Sequence, residues 1–262
     1  MYSLKEILEK LAENEISVAE AEKLVKLLAV AEIGNMARID ANRECRKGIP
    51  EIILAEGKTT RDLLEISLKM LSENGRVIIS RCEDEKMRAM KNAAPKDAVM
   101  KSYDKAKMIV IKKKDFTVKS TGGKIGLLTA GTSDIPVAEE ARIIAEEMGC
   151  EVIAAYDLGV AGIHRLLEPL KNLIVQDVDV VIVVAGREGA LSSVVAGMVD
   201  VPVIAVPTSN SYGFGEKGLS ALMAMLQSCS LGLAVVNIDS GVAAGAMATL
   251  IANRAAKFRN KM

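Results

Sequence analysis

The chain has 262 residues, 34 Lys and Arg against 34 Asp and Glu, and is half hydrophobic, with no Trp, four Tyr and three Phe. That length makes one large domain or two modest ones. Zero formal charge and a pI near 6.7 remove the diffuse basic surface that non-specific nucleic-acid or anionic-membrane binding requires.

The start, MYSLKEILEKLAENE, is amphipathic and acidic, without the basic opening and uninterrupted apolar core of a signal peptide. Apolar positions at helical spacing (Leu4, Ile7, Leu8, Leu11, then Val18, Ala21, Leu24, Leu27, Leu28) predict helices over residues 3–47, with Ser17 and Glu20 as a capping box. Beyond Gly48-Ile49-Pro50, short apolar runs (EIILAEGKT, RVIISRC, KMIVIKKK) alternate with amphipathic stretches, the pattern of a small α/β domain over about 50–115. Lys112-Lys113-Lys114-Asp115 and STGGK (120–124) have the composition of a connection, so the domains are expected to be 1–119 and 120–262.

From there, runs rich in β-branched residues recur at 124–130, 151–156, 178–185, 202–207 and 233–238. Near-continuous apolar strands predict a parallel sheet covered on both faces. Helices are expected over 137–149, 189–198, 219–229 and 241–257; the third is apolar nearly all round, which points to burial by other subunits as well as by the sheet. The longest apolar stretches, 178–186 and 201–207, fall far short of the roughly 20 residues a membrane helix needs. A cytoplasmic protein with neither nucleic acid nor membrane as partner is the expectation.

Ligands of open parallel sheets bind beyond the carboxyl ends of the strands, where helix N-termini present free N–H groups. Four strand ends here are small and polar: TAGTSD (129–134), AGREGA (185–190), PTSNSYGFG (207–215) and NIDSG (237–241). Their convergence predicts one site for a phosphorylated or otherwise anionic ligand. Neither a GxGxxG fingerprint nor a P-loop occurs in these loops. Ser133 or Asp134 can alternatively be read as a cap for a helix starting near Pro136. Glu188, between Gly186 and Gly189, is placed to stay ionised near helix N–H groups and accept a proton from a substrate. His164, the single histidine, has a structural role as its ordinary reading. Cys45, Cys82, Cys150 and Cys229 are dispersed, with no CxxC pair, which fits small buried hydrophobes better than a metal cage or disulfide framework.

The stretches KIGLLTAGTSDIPVAEEA, GVAGIHRLL, VVAGREGALSSVVAGMVDVPVIAVPTS and MLQSCSLGLAVVNID, with the terminal Ala/Gly-rich helix, closely resemble the LarB family. That family serves biosynthesis of the nickel-pincer nucleotide cofactor. Residues 120–258 carry the resemblance, GIPEIILAEGKT (48–59) more weakly, and the C-terminal half is more distantly similar to the PurE class of aminoimidazole ribonucleotide carboxylases and mutases. The resemblance implies a PurE-like three-layer sandwich around a parallel sheet, after a smaller helical and α/β N-terminal domain. It also implies a reaction: the pyridinium ring of nicotinic acid adenine dinucleotide is carboxylated with CO2 or bicarbonate, and the phosphoanhydride is hydrolysed, giving pyridinium-3,5-biscarboxylate mononucleotide and AMP. An electron-poor pyridinium carbon cannot attack CO2, whereas a thiolate adding to the ring makes it a nucleophilic enamine.

By that resemblance Cys229 is the nucleophile and Glu188 removes the ring proton, with magnesium assisting anhydride hydrolysis. Gly131, Thr132, Ser133, Asp134, His164, Gly186, Arg187, Gly189, Ala190, Pro207, Thr208, Ser209 and Asn237 become the substrate-binding candidates. PurE-type sheets assemble as octamers, so a homo-oligomer is implied, with helices 219–229 and 241–257 as contact surfaces. The chain departs from the family pattern at Arg187 (usually Met), Ser192-Ser193, Asn210-Ser211 (commonly Val-Gly) and NIDSGV. The alternative reading is an aminoimidazole ribonucleotide carboxylase or mutase, although the SAHR loop of those enzymes is absent after the second strand, where YDLGVAG stands.

Overall fold

A computed structural model describes residues 4–28, 31–33, 37–39 and 43–259. They divide into two compact units, one holding residues up to Tyr103 and Lys107–Phe116, the other Asp104–Ala106 and everything from Thr117.

The first unit opens with α1 (Leu4–Ala12) and α2 (Val18–Leu28). The capping box at the start of α2 is reciprocal: Ser17 N–H donates to Glu20 Oε2 at 2.9 Å and Glu20 N–H donates to Ser17 Oγ at 3.2 Å. The expected run of helices to residue 47 is interrupted by β1 (Ala31–Ile33) and β2 (Ala37–Ile39), an antiparallel pair, before the short α3 (Arg43–Lys47). The Gly34-Asn35 dipeptide in the sequence is a helix breaker that outweighs the helical spacing of the apolar residues.

Then follow β3 (Ile52–Leu54), α4 (Thr60–Asn74), β4 (Arg76–Ser80), α5 (Asp84–Ala93), β5 (Ala98–Tyr103) and β6 (Met108–Lys113). Their sheet has the order β3-β4-β6-β5, with β3 and β4 parallel and the rest antiparallel. Thr59 caps α4, its side chain accepting from Asp62 N–H at 3.1 Å, and the helix drops Leu63, Ile66, Met70 and Leu71 onto the sheet. Cys82 belongs to this core; the side chain of Cys45 lies outside the described residues.

The second unit is built from β7 (Lys124–Thr129), α6 (Ile135–Glu147), β8 (Glu151–Ala155), α7 (His164–Val175), β9 (Val180–Ala185), α8 (Ala190–Ala196), β10 (Val203–Pro207), α9 (Leu219–Leu226), β11 (Leu233–Val235) and α10 (Gly241–Arg259). All strand pairings are parallel and the order is β11-β10-β9-β7-β8. Side-chain alternation splits the strands between two cores. In β9, Val181, Val183 and Ala185 face α7, α8 and α9, whereas Val180, Ile182 and Val184 face α6 and α10. The sheet is therefore the middle of three layers, as its uninterrupted apolar strands require. On the second face, Gly245 lets α10 lie against α6: a Cβ there would stand 2.5 Å from Ala141 O. Where β8 ends, Tyr156 Oη donates to Glu139 Oε1 at 2.6 Å, and Glu139 also takes both the Nε and Nη2 donors of Arg142, tying α6 to the sheet edge.

Candidate active site

With β8 outside β7 and β9 on its other side, the connections leaving β7 and β9 run to opposite faces of the sheet. Such a switch point opens a crevice beyond the carboxyl ends of the strands. There, a cavity of about 380 Å³ is lined by Ala130, Gly131, Ser133 and Asp134 after β7, Gly159, Val160 and Ala161 after β8, Ala185 to Glu188 with Ala190 and Leu191 after β9, and Asn210 after β10.

Asp134 organises it. Its carboxylate is buried, Oδ2 accepting from Gly131 N–H at 2.9 Å and Oδ1 from the hydroxyl of buried Thr208 at 2.7 Å. The reading of Asp134 as a side-chain cap for α6 is therefore corrected: the carboxylate turns back to its own loop and across to β10's end, and no side-chain hydrogen bond caps α6. The Thr208 donor had no local signature, because it lies 74 positions away. Gly186 is required by this contact. A Cβ there would meet Thr208 Oγ1 at 2.8 Å and Asn210 O at 3.2 Å.

Asp157 (φ 61°), Arg187 (φ 55°) and Asp239 (φ 54°), each beyond the carboxyl end of a strand, hold left-handed backbone without being glycine. Such strain persists only when surroundings over-determine it. Asp157 N–H donates to Thr129 Oγ1 and its carboxylate pairs with Arg165 at 2.8 Å. Arg187 N–H donates to Ser211 Oγ at 3.0 Å. Asp239 N–H donates to Pro207 O, while its Oδ1 accepts from Ser209 N–H, both at 2.9 Å. The loops are thus wired to one another rather than loose.

Of the sequence candidates, Gly131, Ser133, Asp134, Gly186, Arg187, Glu188 and Ala190 line the cavity. Glu188 is exposed there with no hydrogen bond or ion pair among the described residues, leaving its carboxylate available to a substrate proton. Thr208 acts from behind through Asp134, and Ser209 through Asp239. Thr132, His164, Gly189, Pro207 and Asn237 do not line it; His164 is exposed at the first turn of α7 and Asn237 Oδ1 accepts from Ile238 N–H. Asn210 was not among the candidates, yet its Nδ2 donates to Ser133 O at 2.6 Å and closes the cavity's fourth side. The polar run PTSNS was the available signal.

Cys229 is exposed, which removes the packing reading, whereas Cys82 and Cys150 are buried. The residues beside Cys229 are pinned: Ser228 Oγ accepts from Ser193 Oγ at 2.8 Å, and Ser230 Oγ donates to Ser193 O at 2.8 Å. This segment leads into β11 at the amino ends of the strands, where Val203 N–H donates to Gly232 O. Within one chain Cys229 therefore does not line the cavity that holds Glu188.

Two family models match: a LarB/PurE-like N-terminal domain over residues 30–114 and AIR carboxylase over 124–262. The chain belongs to the LarB family. An uncharacterized protein of Methanocaldococcus jannaschii is 48% identical over 252 residues, covering 95% of this chain and 97% of that one. The LarB chain is also similar, over about half its length, to the N5-carboxyaminoimidazole ribonucleotide mutase of Thermotoga maritima, 30% identical over 49% of this chain and 74% of the mutase. The corresponding protein of Pyrococcus horikoshii is 29% identical over 52% of this chain and 75% of its own. The LarB chain is thus an enzyme of the carboxylase and mutase class, with the parallel sheet its strands predicted and the PurE-like domain the resemblance implied.

Among the described residues of this LarB chain, no three His, Cys, Asp or Glu side chains are arranged to hold a metal ion, and no helix is long and apolar enough to cross a membrane.

Proposed function

We propose that this protein carboxylates the pyridinium ring of nicotinic acid adenine dinucleotide and hydrolyses its phosphoanhydride, yielding pyridinium-3,5-biscarboxylate mononucleotide and AMP for nickel-pincer cofactor biosynthesis. The observation that carries this reading is the presence, on one chain, of the LarB/PurE-like N-terminal domain and the AIR carboxylase domain, where the mutases match only about half of the chain.

The chemistry follows from the residues. A thiolate from Cys229 adds to the ring, the resulting enamine carbon attacks CO2, Glu188 takes the ring proton from that carbon, and expulsion of sulfur restores aromaticity. Ring C–H and CO2 thus become a ring carboxylate and a proton. Water then cleaves the anhydride, with any divalent ion entering on the substrate's own phosphates, since magnesium is commonly held that way. Because Cys229 stands outside the cavity of its own chain, the reading calls for a second copy to present it, consistent with exposed Met223 and Leu226 on α9 and Met247 and Leu250 on α10. These surfaces fit the expected homo-oligomer.

Purified protein incubated with the dinucleotide, bicarbonate and magnesium should release AMP and a mononucleotide heavier by one carboxyl group, both read by mass analysis. Cys229→Ser carboxylating at the wild-type rate would sink the covalent mechanism. Co-refolding Cys229→Ser with Glu188→Gln protein should restore part of the activity that each lacks; no restoration would mean that both residues act from one chain. Turnover of aminoimidazole ribonucleotide instead would favour the purine reading.

A further inference from the structure

The cavity is small for a dinucleotide. At about 380 Å³ it lies near the small end of the roughly 300–1,000 Å³ that ligand pockets span, and its buried polar group, Asp134, sits at its floor. On the dinucleotide reading, whatever part of the ligand the cavity does not hold extends along its rim.

At that rim the segment after β10 is fastened to both framing loops. Asn210 Nδ2 holds Ser133 O at 2.6 Å, Ser211 Oγ accepts from Arg187 N–H at 3.0 Å, and the Arg187 guanidinium donates to Tyr212 Oη. The same guanidinium lies 4.0 Å from the centroid of the Tyr212 ring. Tyr212 is nevertheless 72% exposed, so its ring contributes little to the core. Among the described residues Arg187 has no carboxylate partner, and it is also a cavity residue. A large ring, kept in one orientation, and an uncompensated cation therefore meet at the mouth of the site.

We propose that Arg187 and Tyr212 form a stacking subsite for the purine of the adenylate half, an inference that rests on the dinucleotide reading above. An aromatic side chain already immobilised loses little entropy when a base stacks on it. The guanidinium plane is itself a stacking partner and its charge complements the adjoining phosphate. The pair would make the enzyme discriminate dinucleotide from mononucleotide, since only the former reaches the rim.

Calorimetric titration of the full chain, without bicarbonate or divalent ions, tests this with nicotinic acid adenine dinucleotide and with nicotinic acid mononucleotide. Tyr212→Ala should weaken dinucleotide binding by about tenfold, the scale of one lost base–aromatic stack, while mononucleotide affinity stays within about twofold. Tyr212→Phe, which keeps the ring, should retain most of the dinucleotide affinity. Equal losses for both ligands, or dinucleotide affinity unchanged in Tyr212→Ala, overturns the subsite and leaves the dinucleotide reading standing. Wild-type protein that binds no dinucleotide overturns both.

Discussion

The hydroxyl of Thr208 donates to Asp134 Oδ1 at 2.7 Å, joining the end of β10 to the loop after β7 across the intervening β9. Both residues are buried. Thr208→Val removes the donor and leaves a desolvated carboxylate oxygen, an expected loss of about 1–3 kcal/mol in urea unfolding. Thr208→Ser should recover most of it, because the hydroxyl and not the methyl makes the contact. A destabilisation shared equally by Val and Ser would assign the effect to packing.

Gly186→Ala sets a methyl 2.8 Å from Thr208 Oγ1 and 3.2 Å from Asn210 O. One of those atoms must yield, and each belongs to the wiring of the cavity. A stability cost of about 1–3 kcal/mol is expected from overpacking, with substrate binding lost more completely than the fold. Thermal unfolding and ligand titration on the same sample separate the two.

Thiol reactivity divides the described cysteines. Cys229 is exposed and should alkylate within minutes in native protein. Cys82 is fully buried, and that burial pushes its thiol up to about 11 against the opposing pull of Lys86. Cys150 is raised in the same direction, chiefly by burial. Both should react with iodoacetamide at pH 8 only after denaturation, because little thiolate forms and access is blocked. Peptide mass mapping of native and unfolded samples reads the difference; fast native labelling of Cys82 would contradict the packing described for the first unit.

The Tyr156–Glu139–Arg142 contact predicts a pH signature. Burial raises the Glu139 carboxyl, but hydrogen bonds from Arg142 and Tyr156 outweigh it and hold it below its ordinary 4.5. A depressed carboxyl contributes stability above the unfolded pKa and loses it as pH falls through the folded one. Burial, then the bond to Glu139, raises the Tyr156 phenol above its ordinary 10.0, so its contribution is full below pH 10 and is lost above. The stability gap between wild type and Tyr156→Phe should be flat between these limits and narrow below pH 4.5. A gap independent of pH would remove Glu139 from the account.

Much of this was legible in the residues, and what was not has a physical reason. The β9 run VVIVVA announced a strand buried on both faces, and TAGTSD and AGREGA announced the small polar strand-end loops that line the cavity, because local composition dictates local backbone. Asn210 was signalled only by the polar run PTSNS, and the Thr208 partner of Asp134 was invisible, since it depends on which strands become neighbours. Cys229 shows the converse: motif likeness assigned it chemistry together with Glu188, whereas the chain brings it to the opposite ends of the strands. The β1–β2 pair was missed because apolar spacing outweighed one Gly-Asn dipeptide.

The packing of α10 on α6 bears on how the protein is made. Ala244, Ala248 and Ala252 supply one wall of the core whose other members begin at Ile125, more than a hundred residues earlier. Until residues 241–259 have emerged from the ribosome, Ile125, Leu127, Ile182 and Val206 share a face that α6 covers only in part, and the rest of the nascent sheet is an adhesive surface. The first unit closes its own core without waiting. Synthesis is therefore vectorial in its risk: a stall late in translation would leave a finished N-terminal unit tethered to an unsealed sheet, the species that chaperones must shield.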